Sequence, residues 1–89
     1  MIERELTVSN RLGLHARATA KLVQLLSAYR CSVTLTAKGR EVNAKSIMGV
    51  MLLAAGQGTP VKLRVEGEDE GAVAEAVTAL FERRFDEDQ

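Results

Sequence analysis

The hydrophobic pattern of this 89-residue chain predicts an α+β fold of order β-α-β-β-α-β-α: an open-faced β-sandwich, a four-stranded antiparallel sheet covered on one face by three helices. Two observations carry that expectation. Short segments alternate apolar and polar residues, as half-buried strands do, and longer segments between them repeat at helical spacing. A third supports it: the connections carry Gly, Asn, Asp and Pro, the residues of turns and caps.

Ile2, Leu6 and Val8 alternate with polar neighbours and predict the opening strand. Ser9 to Gly13 is a polar break. From Ala16 to Ala28 the period changes, with Thr19, Leu22, Val23 and Leu26 on one stripe and Lys21, Gln24 and Ser27 off it. Cys31, Val33, Leu35 and Ala37 alternate again. Lys38-Gly39 then offers a tight turn into a short strand through Val42, with Gly39 supplying the positive φ. A second helix follows Ser46 over Ile47 to Ala54 and is apolar nearly all round, as expected of a helix that is deeply buried or offered to a partner. Gly56-Gln57-Gly58-Thr59-Pro60 ends it, and Val61, Leu63 and Val65 form the last strand. Asp69 is placed to cap a third helix, in which Val73, Val77, Leu80, Phe81 and Arg84 share a face.

A chain of this length is expected to form one domain, residues 1–89, burying about 60–65% of its unfolded surface. Tyr29, Phe81 and Phe85 are its only aromatic residues, so aliphatic side chains must build the core. Formal charge is zero and no basic block is present, which argues against nucleic-acid binding. Cys31 stands alone, so it forms no internal disulfide, suggests no metal cluster, and reads as a small buried apolar residue. Met1-Ile2-Glu3-Arg4-Glu5 is charged from the start and no apolar run is long enough to span a bilayer; a cytoplasmic protein with no membrane insertion is expected. The acidic Asp86-Glu87-Asp88 reads as a solvated end.

The chemistry points to His15, the only histidine. A lone histidine is ordinarily a cap-region or surface residue, but its setting in Leu12-Gly13-Leu14-His15-Ala16-Arg17 is unusual. It stands where a loop becomes a helix, so the backbone N–H groups of Ala16 and Arg17 point at whatever precedes them. Those donors and the helix dipole favour a dianionic phosphoryl group by on the order of 0.3–2 kcal/mol. Arg17 adds a cation suited to phosphate oxygens. The same positive surroundings disfavour imidazolium, which leaves a neutral, nucleophilic ring. No Asp or Glu lies near in sequence to activate water, and no glycine-rich nucleotide loop or cofactor site is present. Holding a phosphoryl group without machinery to hydrolyse it describes a carrier and not an enzyme.

Three segments at matching spacing extend this reading over the whole chain: Leu12-Gly13-Leu14-His15-Ala16-Arg17, Lys45-Ser46-Ile47-Met48-Gly49-Val50-Met51, and Gly67-Glu68-Asp69-Glu70. They resemble the HPr family, the histidine-containing phosphocarriers of the bacterial phosphoenolpyruvate-dependent phosphotransferase system. The resemblance implies that His15 is phosphorylated at Nδ1 by Enzyme I, that Arg17 attends the phosphoryl group, and that an Enzyme IIA-type protein of a sugar transporter receives it. It implies the sandwich already inferred, acting as a monomer. One residue departs from the family pattern: Ala18 stands where proline is usual, which bears on transfer rate, because proline presets the first helical turn.

Ser46 reads first as an N-cap, worth about 1 kcal/mol. Its place also matches the family's regulatory serine, phosphorylated by HPr kinase/phosphorylase, and a phosphate there would set about two negative charges beside a docking surface. Ile47, Met48 and Met51 read as core by spacing; the resemblance suggests that they join Leu14, Ala20, Lys21 and Gln24 in a partner patch. Lys21, Lys45 and Arg40 are candidates for a positive rim. Two rival functions share these features. One is a nitrogen-branch carrier serving regulation, which the closing Phe85-Asp86-Glu87-Asp88 resembles; the other is an interaction module that is never phosphorylated.

Overall fold

In the computed structural model, which describes residues 1–87, the element order is the predicted one. Strand β1 spans Ile2–Thr7, helix α1 Ala16–Leu26, β2 Ser32–Ala37, β3 Arg40–Asn43, α2 Ile47–Leu52, β4 Pro60–Glu66 and α3 Glu70–Glu82. A single turn at Arg84–Asp86 follows. Both α1 and α2 end two residues earlier than the periodicity suggests, and Val8 and Cys31 sit just outside their strands, both buried. Asp88, the last acidic residue of the expected solvated end, lies outside the described residues.

The sheet has strand order β1-β4-β2-β3, and every neighbouring pair is antiparallel. Register places Leu6 opposite Val61, Leu35 opposite Leu63 and Val33 opposite Val65, so one face is continuous hydrocarbon. The other face carries ion pairs such as Arg64–Glu41 at 3.0 Å and Lys62–Glu3 at 3.7 Å, the polar side of an antiparallel sheet open to water. Lys38 and Gly39 both have positive φ, as a two-residue turn matched to strand twist requires.

The helices close the apolar face. Leu22 and Leu26 of α1, Val50 of α2, and Val73, Val77, Leu80 and Phe81 of α3 meet the sheet in one core. Val23, expected on the α1 stripe, is half-buried, and Ala18 is fully buried instead. Asp69 precedes α3 as expected but makes no side-chain cap hydrogen bond; its φ of 62° aims the backbone, and Glu70 turns back to accept from the Gly67 amide at 3.0 Å. Arg84, expected on the apolar face of α3, is exposed, because the helix ends before it.

After α3, Arg84, Phe85 and Asp86 all have left-handed φ near +60°, without a glycine among them. Such residues cost roughly 1–2 kcal/mol each. Burial of Phe85 offsets that cost: its ring is fully buried, 4.9 Å from the Phe81 centroid at 56°. The turn reverses the chain and brings the last described residue across the start of α1.

Candidate functional site

His15 is the N-cap of α1, with an extended backbone at φ −78° and ψ −179°. Its ring nitrogen Nδ1 accepts from the Arg17 amide at 3.4 Å. The loop before it explains why the ring stands there. Gly13 has φ +70°, and its carbonyl accepts from the His15 amide at 2.9 Å. A Cβ on Gly13 would lie 2.4 Å from the Ala55 carbonyl oxygen, so only glycine allows the loop to press against the segment after α2. There the Leu14 amide donates to the same Ala55 carbonyl at 2.9 Å.

Asn10 fixes the loop from beneath. It is fully buried, and its Nδ2 donates both to the Gly13 carbonyl at 2.8 Å and to Glu87 Oε1 at 3.0 Å. Two acceptors face one group here, and only an NH2 can serve both. The second carboxylate oxygen of Glu87 lies 2.7 Å from His15 Nε2. The imidazole is therefore held on both sides. Because Nδ1 accepts a hydrogen bond, Nε2 is the nitrogen that carries the proton and donates to Glu87.

This geometry corrects two expectations. Glu87, read as part of a solvated end, has a side chain only 14% exposed and is tied into the site. The surroundings of His15 are accordingly not uniformly positive, because a carboxylate faces one edge of the ring while the first turn of α1 faces the other. The hydrogen bond from Asn10 holds the Glu87 carboxyl below the usual glutamate range, helped by His15 and by the charge of Arg17 and opposed by partial burial. The carboxylate stays ionised at neutral pH.

The other predicted residues sort clearly. Arg17, like Ala16, is exposed on the first turn of α1, and its charge adds a minor part to the lowering of the Glu87 carboxyl. Ser46 caps α2, its Oγ accepting from the Gly49 amide at 3.0 Å. Ile47, Met48 and Met51 are exposed, Met48 by 77%, so their helical spacing does not signify core. Ala20 and Gln24 are exposed on α1. Leu14, expected in the partner patch, is buried; the Gly13 turn drives it inward beneath α1. Lys21, Lys45 and Arg40 each direct a donor at a backbone carbonyl, of Phe85, Tyr29 and Leu52 respectively, which argues against an open positive rim. Leu12 and Leu52, not singled out by the sequence, are 67% and 59% exposed and enlarge the apolar surface. Asn10 and Glu87 were missed as well, having no local pattern to mark them. Among the described residues no cluster of His, Cys, Asp and Glu could hold a metal ion, and no helix is long and apolar enough to cross a membrane.

Comparison with known proteins gives the same direction. A family model described as the PTS HPr component phosphorylation site matches residues 2–83. The phosphocarrier protein HPr of Xylella fastidiosa strain Temecula1 is 65% identical over 88 residues, covering 99% of each chain. The crystal structure of HPr-C-His from Thermoanaerobacter tengcongensis superposes with a TM-score of 0.95 at 40% identity, covering 100% of both chains. An HPr dimer from the same organism gives 0.78 at 41% identity, over 98% of this chain and 100% of that one. With its sheet order, its three helices and a histidine at the head of the first of them, this chain belongs to the HPr family, the phosphocarriers of the phosphotransferase system.

Proposed function

We propose that His15 Nδ1 accepts a phosphoryl group from phosphorylated Enzyme I and passes it to Enzyme IIA-type proteins of sugar uptake. The observation that carries this reading is the pairing of Nδ1 with the Arg17 amide at the first turn of α1. That amide and its neighbours stabilise anionic oxygens on a phosphoryl group bound at Nδ1, and the exposed Arg17 supplies a cation. The Nδ1 lone pair forms the P–N bond as the donor's bond to phosphorus breaks; reversal toward a recipient is the same step run backward. The whole chain acts as one carrier domain, a cytoplasmic monomer that turns over nothing by itself, and self-association of the kind its solved dimeric relative displays is the alternative state. The exposed apolar side chains of α2, with Leu12, form the surface that partners grip.

Ser46 is the regulatory site in this reading, modified by an HPr kinase/phosphorylase. Its hydroxyl stands at the start of α2, beside exposed Ile47 and Met48, where a phosphate brings about two negative charges onto that apolar surface. Incubation with phosphoenolpyruvate and Enzyme I of each branch tests the carrier reading. Acid-labile label should appear on wild type and be absent from His15→Ala; no label from either Enzyme I supports the silent interaction module instead. Acid-stable label from ATP and the kinase should vanish in Ser46→Ala, and its persistence removes the regulatory claim.

A further inference from the structure

We infer that Glu87 is a positioning residue for phosphoryl transfer at His15, an inference that rests on the carrier reading above. The carboxylate is built into the site. Oε2 meets His15 Nε2 at 2.7 Å, and Oε1 meets Nδ2 of fully buried Asn10 at 3.0 Å. Asn10 in turn grips the Gly13 carbonyl, so carboxylate and imidazole share one rigid support. The chain that delivers Glu87 is also fixed: Phe85 is fully buried and its carbonyl accepts from Lys21 Nζ at 2.8 Å. Three successive left-handed residues, Arg84 to Asp86, turn Glu87 back over the site.

The consequence lies in where charge moves. As Nδ1 gives its lone pair to phosphorus, the donor's electron pair departs with the donor and the ring proton stays on Nε2. The imidazole gains positive charge, on the edge that faces Glu87. A carboxylate held there stabilises that charge, and holds the proton on Nε2 so that Nδ1 is the nitrogen left free to react. The amide of Arg17 at Nδ1 and the carboxylate of Glu87 at Nε2 thus act at opposite edges of one ring.

Rates of labelling by Enzyme I and phosphoenolpyruvate for wild type, Glu87→Gln and Glu87→Ala test this, together with the Nε2–H proton resonance. Glu87→Gln removes the charge and keeps one acceptor oxygen for the His15 Nε2–H while turning its NH2 toward Asn10, and should label about tenfold more slowly, on the order of the difference between a charge-assisted and a neutral hydrogen bond. Glu87→Ala should be at least as slow. The Nε2–H resonance should lie far downfield and exchange slowly in wild type, move upfield in Glu87→Gln and be lost to solvent exchange in Glu87→Ala. Labelling measured well below the melting temperature of every variant separates the charge effect from misfolding. Variants that label at the wild-type rate, or slow labelling with an unchanged Nε2–H resonance, overturn the role of Glu87 alone. Failure of wild type to label at all overturns the carrier reading with it.

Discussion

Glu87 Oε2 lies 2.7 Å from His15 Nε2, closing a ring of contacts that runs through Asn10 and Gly13 back to the His15 amide. The reactive ring is thereby attached to the far end of the chain as well as to its own helix. Loop, helix and C-terminal turn are one mechanical unit, and substitutions in any of them should be felt at the others.

Phe85 anchors that turn. Phe85→Ala removes a fully buried ring and should cost about 3–5 kcal/mol in denaturant unfolding. Because the left-handed turn loses its compensation, the His15 Nε2–H resonance should also lose its downfield position. A loss below about 1 kcal/mol would show that the turn is not held by this burial.

Gly13→Ala should destabilise by roughly 2–6 kcal/mol, combining a positive φ with the 2.4 Å approach to the Ala55 carbonyl. The effect should reach His15, whose amide is bonded to Gly13, and appear as displaced His15 and Ala55 amide resonances. Gly39→Ala is the control. Its added Cβ meets nothing within 4 Å, so only the backbone penalty remains and the loss should be smaller.

Ser46→Ala, apart from any phosphorylation, should lower stability by about 1 kcal/mol through loss of the bond to the Gly49 amide. A six-residue helix has little propensity to stand on its own, so the loss should appear locally, as faster amide exchange over Ile47–Leu52. Unchanged exchange there would remove the capping role.

Among the described residues, four carboxylates are held below their ordinary range by the partners that hydrogen-bond them: Glu70 by the N-terminal ammonium, Glu75 by Arg4, Asp86 by Arg83 and Glu87 by Asn10. A lowered folded-state value adds stability that is complete above the unfolded value. It is lost as pH falls through the folded one. Unfolding free energy should thus fall below about pH 4.5, the ordinary glutamate value. Glu75→Gln and Arg4→Met should change it only modestly, because that pair is exposed to solvent. Glu87→Gln should flatten the acid limb more than Glu75→Gln, its carboxylate being only 14% exposed.

The strands and helices were legible because each buries one face, and alternation or helical spacing records that directly. The His15-Ala16-Arg17 head of α1 was equally visible, since an N-cap and its first amides are neighbours in sequence. Other features depend on the completed fold. Asn10 and Glu87 meet across 77 positions, and no local pattern joins them. The turn at Arg84–Asp86 adopts left-handed backbone without glycine, so no turn residue announces it; Phe85 burial and the bond from Lys21 to the Phe85 carbonyl hold it. Helical spacing identifies Ile47, Met48 and Met51 as one apolar face but does not say whether a core or a partner covers it, and α2 is short enough to leave them outside. Leu14 misleads in the opposite sense, because a positive-φ glycine beside it turns it inward.

The most direct test of the central claim is the nitrogen to which phosphorus is bonded. Nitrogen-15 and phosphorus-31 spectra of the protein after reaction with Enzyme I and phosphoenolpyruvate should show one phosphoryl group per chain, coupled to Nδ1 of His15, with the proton on Nε2. Coupling to Nε2, or a phosphoryl group that persists in His15→Ala, would contradict it.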